Sequence, residues 1–271
     1  GRRYVDFTHF GVGACVLGFA DDDVERAVVA AVRQGSMCTL NAPEEVELAQ
    51  LLCELHPWAE MARFGRCGGE AMSIAVRIAR AATARDEIAF CGYHGWNDWY
   101  LAANLASDDQ LASHLLAGLS TVGVPRGLAG TAHPFQYNRL DQLQAIVDSL
   151  GSKLAAIVME PARNAGPAPG FLNSVRELAD RCGAVLVFDE VTSGWRMNTG
   201  GIHLTYETVP DIAVFAKGMA GGYPMAAIIG IRAVMEVAQA TFISSTFWTE
   251  RIGPVAALTS IRKHRELNVG A

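Results

Sequence analysis

The sequence holds no uninterrupted apolar stretch near the ~18 to 20 residues a membrane-spanning helix needs, although 51% of its 271 residues are apolar. No basic stretch followed by an apolar core opens the chain, so no secretory leader is read there. Runs of one charge are also missing: 22 Lys and Arg stand against 28 Asp and Glu, a net charge of −6. That balance excludes a broad surface for nucleic-acid phosphates, whereas a single bound anion needs only a local site. Glycine (27) and proline (10) are at ordinary levels, which excludes collagen-like and low-complexity chains. The cysteines Cys15, Cys38, Cys53, Cys67, Cys91 and Cys182 form no Cys-x-x-Cys pair and no His/Cys cluster with zinc spacing, so no metal is expected. Scattered thiols in a chain of this length read as buried groups in a reducing, cytoplasmic compartment. The first residue is Gly1, and Glu266–Ala271 interrupt a helical pattern, so a segment of a longer protein is expected.

What is present is a pattern of helices and buried strands. Asn41-Ala42-Pro43-Glu44-Glu45 offers a cap, a first-turn proline and first-turn acids. An apolar face through Val46, Leu48, Ala49, Leu52, Cys53 and Leu55 then runs up to His56-Pro57. Further helices are predicted from about Gly69 to Ala84 and from Leu172 to Cys182, the latter stopped by Gly183. The runs 154–159, 184–188, 212–215 and 226–229, with shorter 88–90, are apolar without alternation. Such strands are buried on both faces, as in a parallel or mixed sheet covered by helices, so the class is α/β.

Three of these strands end in a charged residue, Glu160, Asp189 and Lys217, spaced 29 and 28 residues apart. That is the size of successive crossover units, and the carboxyl ends of strands in open α/β sheets line the ligand crevice. Lys217 lies in an apolar, Gly-rich corner, where lost hydration makes a nucleophilic amine capable of a Schiff base. A buried Asp nearby can hold a protonated cofactor ring nitrogen.

Two further clusters accompany them. Arg66-Cys67-Gly68-Gly69-Glu70 opens a helix, where backbone N–H groups and the helix dipole favour an anion; a tight turn is the alternative reading. The segment Cys91-Gly92-Tyr93-His94-Gly95-Trp96-Asn97 crowds a histidine and aromatics into a Gly-hinged loop after a strand. A ring there can stack on a planar ligand. Trp99 and Tyr100 read as core, and His94 reads equally as a structural, hydrogen-bonded histidine.

In order and spacing, the Gly68-Gly69 helix start, the Tyr93-His94-Gly95 loop, Glu160-Pro161, Phe188-Asp189-Glu190-Val191 and Ala216-Lys217-Gly218 resemble the class III pyridoxal-phosphate aminotransferases of fold type I. The branch with glutamate-1-semialdehyde aminomutase is the most similar, and the resemblance runs from Tyr4 to Ile261. It implies the large domain of that fold over residues 41–271, with a mostly parallel sheet and helices on both faces. Residues 1–40 form a segment leading into it, and the family's C-terminal small domain is absent. It implies catalytic roles for Lys217, which carries the cofactor aldehyde, and Asp189, which pairs with the ring nitrogen. It places Val191 and Tyr93 on the two ring faces, with His94 among the cofactor-binding residues. Gly68 and Gly69 take the phosphate, Glu160 supports the site from beneath, and Thr246 reaches the phosphate of a second copy, so a homodimer follows.

Cys67 and Gly69 stand where relatives usually carry hydroxyl residues, so phosphate binding is expected to rest on backbone groups. Thr192-Ser193-Gly194-Trp195-Arg196 and Phe247-Trp248-Thr249-Glu250-Arg251 also depart from the family's usual forms, beside the expected substrate pocket. The implied enzyme is an aminotransferase working on a small amino donor and a carbonyl acceptor, with neither nucleic acid nor membrane as partner. An aminomutase uses the same residues, a decarboxylase or racemase shares the fold, and a non-catalytic paralogue acting as a binding or assembly module is the alternative from another class.

Overall fold

The computed structural model describes residues 1–107, 109–114 and 117–270. Seven strands form one sheet: β1 (Met61–Gly65), β2 (Glu87–Cys91), β3 (Ala132–Pro134), β4 (Leu154–Met159), β5 (Val185–Asp189), β6 (Ile212–Phe215) and β7 (Ala226–Gly230). Their spatial order is β1-β7-β6-β5-β4-β2-β3. The pairs β2–β3, β2–β4, β4–β5 and β5–β6 are parallel, and β7 runs antiparallel between β1 and β6. The mostly parallel α/β sheet is therefore as expected, and β1 and β3 are strands that the sequence pattern had not marked.

The principal helices are α1 (Asp22–Gln34), α2 (Pro43–Leu55), α3 (Gly68–Thr83), α4 (Leu140–Leu150), α5 (Phe171–Cys182) and α6 (Ile252–Glu266). They cover both faces of the sheet, which is why the strands read as continuous apolar runs. On one face Met72, Ala75 and Val76 of α3 pack with Ala156, Val158, Val187 and Val214. On the other, Leu143 and Val147 of α4 and Val175 of α5 meet Ile157, Met159 and Leu186. Farther along that second face, Val24, Leu48 and Ile261 of α1, α2 and α6 meet Ala213, Phe215 and Ile229. From Ala156 to Met159 the β4 residues thus alternate between the two layers, as a period of two requires.

Local signals explain most boundaries. Asp21 caps α1 through Asp23 and Val24 N–H (both 3.2 Å), and α5 stops at Gly183 with φ +65°. The α2 cap differs from expectation: Pro43 occupies the first helical position, which puts the cap at buried Ala42 and leaves Asn41 outside it. Proline sets φ and needs no N–H partner, so it decides the helix start without a side-chain cap. Among the described residues no helix is long and apolar enough to cross a membrane.

Strand pairing sets the position of the site. Met159 pairs with Phe188 and Asp189 with Val214, so β4, β5 and β6 end together on one edge. Phe215 pairs with Ala227 and Gly65 with Ala226, which brings the end of β1 and the start of α3 to the same edge. Cys91 opposite Met159 adds the loop after β2.

Candidate active site

A cavity of about 560 Å³ opens at this edge, lined by Gly68, Gly69, Tyr93, His94, Asp189, Val191 and Lys217 among others. Seven of the nine sequence-predicted residues therefore meet in one space. Glu160 lies just outside it, buried beneath the Tyr93 loop, where Oε2 accepts the Tyr93 N–H at 3.1 Å. Thr246 is exposed and does not line the cavity. It begins a one-turn helix, Thr246–Thr249, whose capping hydroxyl is that of Ser245, accepting from Phe247 N–H.

Lys217 lies two residues past the end of β6, with φ +46°, in the left-handed region that side chains normally avoid. Its Nζ hydrogen-bonds Thr192 Oγ1 at 3.0 Å. Burial, reinforced by the nearby Arg196 cation, holds the amine below the usual lysine range, while the Asp189 charge opposes that shift. A neutral amine is the nucleophilic form, so the placement favours attack on a carbonyl.

Asp189 ends β5 and is 3% exposed. Its Oδ1 accepts Val191 N–H at 3.0 Å and its Oδ2 accepts His94 Nδ1–H at 2.7 Å. His94 is itself enclosed by Phe90, Trp99 and Tyr100. The imidazole thus fixes the carboxylate rotamer and touches the cavity at the same place, joining the structural and functional readings of this residue.

Where α3 begins, its first N–H groups have no intrahelical carbonyl to bond, as at any helix start. The Gly68 backbone lies so close to Val191 that an added Cβ would stand 2.9 Å from Val191 Cγ1. Gly69 O accepts from Asn97 Nδ2 at 2.7 Å, and a Cβ on Gly69 would come within 3.2 Å of the same nitrogen. Asn97 thus occupies the space a larger residue at 69 would fill. Glu70 folds back to accept the N–H groups of Arg66 (2.6 Å) and Cys67 (3.3 Å), which fixes the turn into the helix.

Several neighbours had no clear signal in the sequence. Arg163 donates through one nitrogen to both Glu160 oxygens, at 3.0 and 2.8 Å. Burial and the Asp189 charge push the Glu160 carboxyl up, opposed by His94 and Arg163. Arg66 lines the cavity and donates to Phe247 O and Glu250 O, tying the Thr246 segment to the cavity wall. Only the i, i+3 spacing of Glu160 and Arg163 hinted at any of these contacts.

Gly92, at the end of the Glu160 contact, has φ +119°, and a Cβ there would lie 2.6 Å from Glu160 Oε2. Gly92→Ala is therefore expected to cost roughly 1–3 kcal/mol through backbone strain and overpacking. A denaturant midpoint equal to wild type would contradict that close approach.

The chain matches the family model described as aminotransferase class-III over residues 1–269. It is 34% identical over 269 residues to the 3-aminobutyryl-CoA aminotransferase of Cloacimonas acidaminovorans (strain Evry), covering 96% of this chain and 61% of that protein. It is 38% identical over 272 residues to glutamate-1-semialdehyde 2,1-aminomutase 1 of Cenarchaeum symbiosum (strain A), covering 97% of this chain and 62% of that protein. Among solved structures it resembles the PLP internal aldimine form of the FumI protein of Sphingopyxis sp. MTA144, with a TM-score of 0.84 and 25% identity, covering 95% of this chain and 60% of that one. The chain belongs to the class-III aminotransferase family. It spans about three fifths of the length of these relatives.

Proposed function

We propose that this chain is the cofactor-binding part of a pyridoxal-phosphate-dependent aminotransferase. The observation that carries the reading is the Lys217 amine, held below its usual proton affinity in one cavity with the Asp189 carboxylate and the start of α3. An amine, a buried carboxylate and a helix N-terminus match the aldehyde, ring nitrogen and phosphate of the cofactor. Bound pyridoxal phosphate supplies an aldehyde that condenses with amines and a ring that takes up the electrons of a breaking C–H bond.

The rest of the chemistry belongs to the chain. Lys217 Nζ would hold the cofactor's aldehyde carbon, and its free amine would accept and return the donor's Cα proton. Asp189 keeps a proton on the ring nitrogen, with His94 fixing its carboxylate. Tyr93 and Val191 would cover the ring faces, and Glu160 holds the Tyr93 loop in place. Gly68 and Gly69 N–H groups bind the phosphate. The substrates are an amino donor and a keto or aldehyde acceptor, and the reaction takes place in the cytoplasm.

Titrating the whole protein with pyridoxal phosphate should produce a visible absorption band, discharged by an amino donor and restored by a keto acid. Absence of the band would overturn the reading and favour an assembly module. The 38% identity to an aminomutase supports a second outcome, isomerisation of one substrate. Turnover without any keto acceptor would select it.

Residues 41–271 form the large domain, with helix α1 of the leading segment packed against it, and a second copy completes the active site. Thr246 reaches the partner's phosphate, which makes the working unit a homodimer. Its hydrogen bonds to a charged group are worth roughly 1.5–3 kcal/mol, so dissociation should weaken cofactor binding about tenfold to a hundredfold. Light scattering during cofactor titration checks this. A monomer that binds tightly and turns over would refute the dimer.

A further inference from the structure

The geometry points to Thr192 as the residue that orients the Lys217 amine, and this role rests on the aminotransferase reading above. Among the described residues, Thr192 Oγ1 is the hydrogen-bond partner of Nζ, at 3.0 Å. The charged groups acting on Nζ are Arg196, Asp189, Arg163 and Glu160. None of them bonds it.

Both ends of this contact are fixed. Lys217 starts from a left-handed backbone at the end of β6. Thr192 sits in the turn that follows β5, closed by Gly194 N–H donating to Glu190 O at 2.9 Å. Glu190 N–H in turn donates to Val214 O at 2.8 Å, so the turn is anchored to β6 itself. Gly194 presses on Phe215, where an added Cβ would lie 2.8 Å from Cδ1, two residues before Lys217. A β-branched side chain on this turn has few χ1 choices, so the hydroxyl is held where Nζ arrives.

The chemistry of a hydroxyl suits a lysine that must gain and lose a proton. A carboxylate partner would favour the ammonium form and raise the amine's proton affinity. A hydroxyl accepts from an ammonium N–H and can donate to the lone pair of a neutral amine. Thr192 therefore keeps Nζ aimed in both protonation states. An apolar side chain of the same shape would leave the freed amine to rotate, and proton transfer depends on orientation.

Thr192→Val removes the hydroxyl at nearly constant shape, and Thr192→Ser keeps it. The first measurement uses the whole protein without cofactor: the pH dependence of Lys217 acetylation by acetic anhydride, followed by peptide mass spectrometry. The hydroxyl bonds the ammonium more strongly than the neutral amine, so Thr192→Val should shift the labelling midpoint to lower pH, while Thr192→Ser stays near wild type. The second uses the loaded protein. Thr192→Val should lower kcat about tenfold, as loss of one hydrogen bond to a charged group does, with KM for the amino donor little changed. A larger isotope effect with Cα-deuterated donor should accompany it. Serine should restore both quantities.

A valine variant with the wild-type labelling midpoint and the wild-type isotope effect would overturn the role. If the valine variant does not fold, Thr192→Ala takes its place with the same two outcomes. A wild-type protein that never develops the visible band overturns the aminotransferase reading instead, and the acetylation measurement still decides whether Thr192 holds the amine.

Discussion

Replacing Lys217 by alanine is expected to abolish the visible band formed with pyridoxal phosphate and the adduct fixed by borohydride at that position. The cavity wall would keep its carboxylate and its helix start, so weak non-covalent binding of the cofactor should persist while turnover is lost. A Lys217→Ala protein that still gives a reducible adduct at the same site would refute the assignment. The same residue makes a prediction about stability without cofactor. Burial, with Arg196 nearby, lowers the amine's proton affinity in the folded state. Folding a charged Lys217 therefore carries a cost that is fully present below its folded pKa. That cost is relieved as pH rises toward the ordinary lysine value of ~10.4. Lys217→Met should accordingly stabilise the cofactor-free protein at neutral pH, and its advantage should shrink as pH rises through that interval. Denaturant midpoints measured across pH test the sign: an advantage that grows with pH would contradict it.

Asp189→Asn should slow proton transfer by ~10² to 10³ or more, the usual effect of removing an electrostatic partner from a developing charge. Asparagine keeps the shape but not the charge that holds a proton on the ring nitrogen. It also disturbs the local hydrogen bonding, because both carboxylate oxygens accept, one from Val191 N–H and one from His94 Nδ1–H. An amide offers one oxygen, so its NH₂ group must face one of those donors. A buried donor left without an acceptor costs roughly 1–3 kcal/mol, and a lower unfolding midpoint should accompany the slower chemistry. Single-turnover kinetics at a temperature where the variant is fully folded separates the two effects. Near-normal turnover there would rule out the role of Asp189 at the ring nitrogen.

The sequence by itself determined the α/β class, most of the central strands, helices α2, α3 and α5, and the three charged strand ends. These follow from short-range rules: unbroken apolar runs mean two covered faces, and Gly183 stops a helix wherever it is placed. Helix α1 was legible in the same way, with Asp21 as its cap and Val24, Val28 and Ala31 at helical spacing, yet it went unmarked. The family motifs also made Lys217, Asp189, Gly68, Gly69, Tyr93, His94 and Val191 legible as candidates. Their convergence was a matter of tertiary structure. It depends on β4, β5 and β6 lying side by side and on β7 reversing direction, which carries β1 and the start of α3 to the same edge. The contacts that tune the site join residues far apart in the chain: His94 with Asp189, Tyr93 with Glu160, Thr192 with Lys217. Periodicity and capping act over a few residues, whereas these distances are set by strand register and by which side chains the packed layers leave facing the cavity. That is why Thr192, marked in the sequence only as part of a run that departs from the family's usual form, becomes the hydrogen-bond partner of the reactive amine only in the folded chain.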